Sequence, residues 1–199
     1  SSASECIKLI HTIFMPVNAS HCEFGWKAED FNLLSVDDRK HTLQSLKGNK
    51  GTVIVFICNH CPYVIAIAER LSFEAKELKK IGVNTIAIMS NDVENYPEDS
   101  FENMKKFSEK YNFEFPYLYD STQEVAKKFK AVCTPDFFGF NKKLELHYRG
   151  RIDSGTMNKN DKEIKRELFY AMEMIALTNK GPTKQMNSFG CSIKWKNNE

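Results

Sequence analysis

The stretch "TVIVFICNHCPYV", residues 52–64, restricts the fold more than any other part of the chain. Residues 52–57 form an unbroken run of β-branched and apolar side chains, which predicts a strand buried on both faces. Cys58 and Cys61 follow, with Asn59 and His60 between them. Pro62 fits the first turn of a helix, where its missing N–H costs nothing. Val64, Ile67, Ala68, Leu71, Ala75 and Leu78 then recur at helical spacing until Gly82. A second buried run, residues 83–90, comes next. Strand, helix of about five turns and strand make a βαβ unit with a parallel pair and a right-handed crossover. The two cysteines stand where the first strand gives way to the helix.

The remaining pattern is that of one α/β domain. "FNLLS" reads as a short strand, "PYLYD" as another and "TQEVAKKF" as a short helix. Asp99 and Glu102 are spaced as a capping box for a helix carrying Phe101, Met104, Phe107 and Tyr111. "DFFGF" and "LELHYRG" flank "NKK" as a β-hairpin. The last helix is expected from near Asn160, burying Ile164, Leu168, Ala171, Met172 and Ile175 until Gly181 and Pro182 stop it. The expected organisation is an N-terminal extension (1–23), a domain (24–180) and a tail (181–199) that packs back on it.

Net charge is +2 on 199 residues, with both signs dispersed. That argues against a nucleic-acid or anionic-lipid footprint. The apolar run "CIKLIHTIFMPV" is too short and too polar to span a bilayer. Six cysteines are too few for a disulfide-stapled miniature. One close pair and four scattered thiols suit a reducing compartment, expected to be the cytoplasm. A removed export signal is also compatible with a chain that does not begin with methionine.

A C-x-x-C between a strand and a helix in a βαβ unit is a thioredoxin-like redox signature. The chemistry suits the place. A thiolate at a helix N-terminus faces unpaired N–H groups and the positive end of the dipole, which lower its pKa from about 8.5. Several segments extend the likeness: "AEDFNLLSVDDRKHTLQSLKG", "FICNHCPYV", "SNDVENYPED", "FPYLYDSTQEVAKKF", "VCTPDFF", "YRGRID" and "GCSIKWK". In these the chain resembles the peroxiredoxin-like (redoxin, AhpC/TSA-like) branch of the thioredoxin superfamily, from about Ala28 to Lys196. The resemblance implies a thioredoxin-like fold, a central mixed sheet with helices on both faces. It also implies a cis Thr134–Pro135 bond beside the reactive thiol. Two departures stand out: Val64 occupies the place of a second cysteine counted from Cys61, and "SGTMNK" follows "YRGRID".

Two frames compete for the nucleophile. In a thioredoxin frame Cys58 attacks and Cys61 resolves; in a peroxiredoxin frame Cys61 attacks and Cys58 stands at the threonine position. Pro62 as first helical residue makes Cys61 the N-cap, so Cys61 is the expected nucleophile. His60 is read as a cation or base for that thiol, or as a loop residue that only keeps the spacing. Cys133, beside Thr134 and Pro135, is read as a resolving thiol, a metal ligand or a buried small residue. Cys191 is read as a resolving thiol delivered by the tail, or as a structural one. Arg149 and Arg151 are candidates to hold the thiolate, or solvated strand ends. Asp120 and Asp136 lie near strand ends in the expected neighbourhood of the site, and are read as site residues or as turn or cap residues. No role is assigned to Cys6 or Cys22.

The expected function is thiol-based oxidoreduction by disulfide exchange, peroxide reduction or both, with an external donor of thioredoxin or glutathione type and no cofactor. The expected oligomeric state is a monomer or homodimer, with no nucleic acid or membrane as partner. One alternative is a soft-metal protein holding copper or zinc with Cys58, His60, Cys61 and Cys133. Another is a partner-binding domain without catalysis, against which the intact cysteine pair argues.

Overall fold

The computed structural model describes residues 16–18, 23–158 and 162–197. Cys6, Cys22 and Asn160 lie outside the described residues. Strands β2 (Asn32–Ser35), β3 (Lys40–Thr42), β4 (Gly51–Phe56), β5 (Val83–Met89), β6 (Tyr117–Tyr119), β8 (Asp136–Asn141) and β9 (Leu146–Gly150) form one sheet in the order β3-β2-β6-β5-β4-β8-β9. β4 and β5 run parallel, as do β5 and β6; the other pairings are antiparallel. The sheet is therefore mixed. β1 (Pro16–Asn18), β7 (Cys133–Thr134) and β10 (Phe189–Ser192) form a smaller one in the order β1-β10-β7.

The continuous apolar run of β4 is explained by its two neighbours in depth. Val53, Val55 and Ile57 face a core shared with helices α2 (Pro62–Lys80), α3 (Phe101–Lys110) and α5 (Glu167–Thr178). Ile54 and Phe56 face the opposite core, with α1 (Leu43–Leu46), α4 (Glu124–Phe129) and Trp26. Alternate residues of one strand thus serve two cores, and each fully buried Phe or Ile contributes about 1.5–3 kcal/mol. Phe56 meets Phe129 and Phe138 edge-on at centroid distances of 5.7 and 5.6 Å, which orders the second core. Helices cover both faces of the sheet, as the resemblance implies.

Two expected helix starts are corrected. The N-cap of α3 is Ser100, whose hydroxyl accepts the Asn103 N–H at 3.2 Å. Asp99 ends a 3-10 turn (Pro97–Asp99), is fully buried, and turns its carboxylate elsewhere. The last helix begins at Glu167, well after residue 160. Residues 162–166 are not helical because their backbone serves the neighbouring loop: Ser154 N–H donates to the Lys165 carbonyl at 3.1 Å and Lys165 N–H to the Ser154 hydroxyl at 2.7 Å. Ile164 is only half-buried there, whereas Leu168, Ala171, Met172 and Ile175 are buried as expected. The helix stops at Asn179, in the left-handed region at φ 62°, two residues before Gly181.

The tail lies along the domain. Arg151 N–H donates to Met186, Ile193 N–H to Val132 and Asp92 N–H to Lys194, at 3.1, 3.0 and 2.9 Å. Gln123 adds a side-chain bond to the Lys194 carbonyl at 2.9 Å. Among the described residues no helix is long and apolar enough to cross a membrane.

Candidate active site

Three loops meet at the C-terminal ends of β4 and β5. The first is residues 57–61, running from β4 into α2. Cys61 is the N-cap of α2 and Pro62 its first residue. The second is the turn at residues 97–99. The third joins β7 to β8 through Thr134–Pro135, whose peptide bond is cis. β10 pairs with β7 so that Cys191 faces Thr134 and Ser192 faces Cys133.

The Cys61 sulfur lies 2.6 Å from that of Cys191 and 3.4 Å from the Thr134 carbonyl oxygen. Among the described residues, the Cys61 and Cys191 sulfurs are the closest pair of thiols at the site. Cys58 is the third thiol of the site, its sulfur 3.6 Å from the Thr134 hydroxyl and its charge tied to that of Cys61. Cys58, Cys61 and Cys191 are all almost fully buried. Three thiols thus share one site, and the first negative charge settles on Cys61. Burial pushes the Cys61 thiol up. Hydrogen bonds from the Cys191 and Cys58 thiols and from the backbone at Val64 and Cys191 outweigh it and hold Cys61 well below the ordinary thiol range. The same bonds act in reverse on the donors. Burial, then the bond to Cys61 and the Asp99 charge, raise Cys58; the bond to Cys61, then burial, raise Cys191.

Cys133 is buried but stands apart. Its thiol points to the Pro135 carbonyl at 3.8 Å, and burial followed by the Asp136 charge raises it. Neither arginine holds the thiolate in this arrangement. Arg149 pairs with the buried Asp136 at 2.9 Å, donates to the Lys130 carbonyl at 2.9 Å and stacks on Phe138. Arg151 pairs with Glu167 at 2.7 Å. Asp120 caps α4, accepting the Ala126 and Val125 N–H groups and the Ser90 hydroxyl.

His60 makes a contact that its neighbours in sequence do not reveal. Its Nδ1 is 2.7 Å from Asp99 Oδ2. Asp99 also accepts the Asn59 N–H at 2.8 Å and the Asn91 amide at 3.0 Å. Asn59 in turn accepts the Tyr117 hydroxyl at 2.8 Å. The sequence pattern makes Asp99 a helix cap and gives Asn59, Asn91 and Tyr117 no site role. The one signal available was a short polar motif, "SNDVENYPED", between a strand and a helix. The donor atoms that converge are those of Cys58, His60 and Asp99, all within 4.8 Å of one another. The metal set expected from sequence included Cys61 and Cys133 in place of Asp99. Nδ1 and Oδ2 lie 2.7 Å apart, the separation of an ion pair.

A cleft of about 530 Å³ opens at the cis proline, and none of the three thiols lines it. Tyr63, Ile67, Pro135 and Phe189 give it an apolar wall, and residues 151–158 form the facing side. Residues 154–158 of the segment "SGTMNK", which departs from the family pattern, therefore line this cleft.

The AhpC/TSA family model matches residues 24–150, well over half of the chain. The chain belongs to the AhpC/TSA family. Among solved structures it is similar to an uncharacterized conserved protein from Geobacillus kaustophilus, with 42% identity over 92% of this chain and 98% of that one and a TM-score of 0.87. It is also similar to a hypothetical protein from Sinorhizobium meliloti 1021, with 33% identity over 90% and 98% and a TM-score of 0.84. Peroxidoxin BcpB from Mycobacterium tuberculosis shares the fold, with 20% identity over 63% and 83% and a TM-score of 0.53. No curated protein gives a match. The family match makes this a redoxin-domain protein, and the neighbours of 20% identity share its thioredoxin-like fold.

Proposed function

We propose that the protein catalyses thiol–disulfide exchange, with Cys61 as nucleophile and Cys191 as the first resolving thiol. The observation that carries this reading is the 2.6 Å approach of the two sulfurs at the N-cap of α2. The Cys61 thiolate attacks one sulfur of a substrate disulfide, forming a mixed disulfide and releasing the other half as a thiolate. Cys191 then gives its proton to the remaining substrate sulfur and bonds to Cys61. The substrate leaves as a second thiol, and an external dithiol donor returns the pair to the reduced state. The cleft beside Pro135 and Phe189 accommodates a substrate larger than a peroxide. The commitment of Arg149 to Asp136 and of Arg151 to Glu167 also favours exchange over peroxide reduction, which gains from a guanidinium at the thiolate. The reading places the protein in a reducing, cytoplasmic compartment with a donor of thioredoxin or glutathione type.

The test compares oxidants. Reduced protein receives one equivalent of hydrogen peroxide or of a small organic disulfide, and the product is mapped by non-reducing mass spectrometry. Fast reaction with the disulfide, slow loss of peroxide and a Cys61–Cys191 product abolished by Cys61→Ser are expected. Fast peroxide loss passing through a Cys61 sulfenic acid would replace exchange by peroxidase chemistry.

A further inference from the structure

We propose that Asp99 is a positioning residue of the redox centre: it fixes His60 as a cation beside the Cys61 thiolate. The proposal rests on the reading of Cys61 as nucleophile. Asp99 is fully buried, and a buried carboxylate without partners is costly. Its partners come from the redox loop itself. The Asn59 N–H and His60 Nδ1 bind its two oxygens, at 2.8 and 2.7 Å, so two consecutive residues before Cys61 are tied to one side chain. The Asn91 amide, at 3.0 Å, holds the carboxylate from the end of β5. The His60 ring is further fixed by stacking on Tyr96, with centroids 6.0 Å apart and planes within 8°. With Nδ1 given to Asp99, the ring is oriented and its charged form is the one that both neighbours favour.

The groups that set this charge come from several elements. Asp99 and Glu98 approach from the turn, and Cys61 and Cys58 belong to the same loop. Tyr96 stacks on the ring, and the Lys194 ammonium lies 6.0 Å from the Tyr96 centroid. Burial alone would lower the His60 pKa. Asp99 first, then Glu98 and Cys61, reverse that and raise it. A cation raised by the Cys61 charge favours that charge in return, behind the thiol and backbone hydrogen bonds that act first at Cys61. Asp99 does not touch the reacting sulfur. It acts through His60.

The experiment uses the reduced full-length chain and three readouts. The His60 midpoint is followed by NMR of the imidazole, and the rate of alkylation at Cys61 is measured from about pH 3 to about pH 8. Wild type should show a His60 midpoint above the ordinary histidine value of about 6.5. Asp99→Asn, which keeps an oxygen for the Asn59 N–H, should lower that midpoint. It should also raise the alkylation midpoint by about half a unit to one unit, a loss of three- to tenfold in thiolate below it. In a His60→Gln background the same change should leave Cys61 unmoved. A wild-type His60 midpoint at or below the ordinary value would overturn the proposal whether or not Asp99→Asn folds. So would an equal effect of Asp99→Asn with and without His60. Alkylation that maps first to Cys58 would instead overturn the assignment of the nucleophile, and with it this proposal, while leaving the raised His60 midpoint in place.

Discussion

Cys191 stands opposite Thr134 in the antiparallel pairing of β10 with β7. Thr134 precedes the cis proline and offers its carbonyl to Cys61, so one backbone position serves both sulfurs. The approach needs Gly190. A Cβ there would run into the Thr134 carbonyl. Gly190→Ala should therefore push β10 away from β7 at a cost of about 1–3 kcal/mol. It should slow closure of the Cys61–Cys191 disulfide, measured by quenched-flow trapping after addition of a disulfide oxidant. An unchanged rate would mean that the register is held by the rest of the tail alone.

Removing the tail thiol separates its two effects on Cys61. In Cys191→Ser the product of oxidation should move to Cys58–Cys61. In Cys191→Ala, which unlike serine carries no donor, the Cys61 thiolate should also lose the hydrogen bond that lowers it most, so its alkylation midpoint should rise. Non-reducing peptide mapping and the pH profile of alkylation check the two parts. A midpoint that stays in place would assign the low thiol pKa to the helix terminus and Cys58.

Arg149 and Asp136 form a buried pair, with side chains 6% and 0% exposed. Truncating one leaves the other charged and without compensation, so Arg149→Ala should cost about 3–5 kcal/mol in chemical denaturation. Alkylation of Cys61 in the folded variant should be unchanged. A slower rate in protein that is still folded would return Arg149 to the thiolate.

The thiols also give the reduced protein a pH signature. Cys58, Cys133 and Cys191 have folded pKa values raised by their surroundings. An acid of this kind supports the fold fully below its unfolded value, about 8.5, and loses that support as pH rises toward its folded value. Cys61, lowered, behaves in the opposite sense: its contribution is complete above the unfolded value and lost as pH falls. Above about pH 9 the three raised groups dominate, and stability should fall by up to about 4 kcal/mol per pH unit. Cys133→Ala should remove about one third of that slope in denaturant titrations. An equal slope in the variant would show that Cys133 ionises without penalty.

The sequence carried the strand–C-x-x-C–helix unit because period-2 and period-3.6 patterns are local. It did not carry the partners of charged residues, which arrive from other elements. Asp99 and Ser100 are adjacent and both fit an N-cap pattern. Ser100 took the cap because Asp99 was needed by Asn59 and His60, some 40 residues earlier. Arg149 and Arg151 looked alike in "YRGRID", but one found Asp136 on the next strand and the other Glu167 on α5. The pairing of "GCS" with a two-residue strand has too short a pattern to be seen. The same holds for the late start of α5, where the bonds between Lys165 and Ser154 override a sequence of good helix formers.

Cys61 and Cys191 are 130 positions apart in the chain, whereas Cys58 and Cys61 are neighbours. A bond between the distant pair ties a loop through nearly the whole domain. In the chain-entropy account that loop stabilises the fold by about 5 kcal/mol, against about 2 kcal/mol or less for the short one. Linkage makes the relation reciprocal. Whatever the long bond adds to the resistance of the domain to unfolding, the folded domain adds to the resistance of that bond to reduction. The choice between the two partners of Cys61 is therefore also a choice between a domain that its redox state tightens globally and one whose redox state is confined to a single turn.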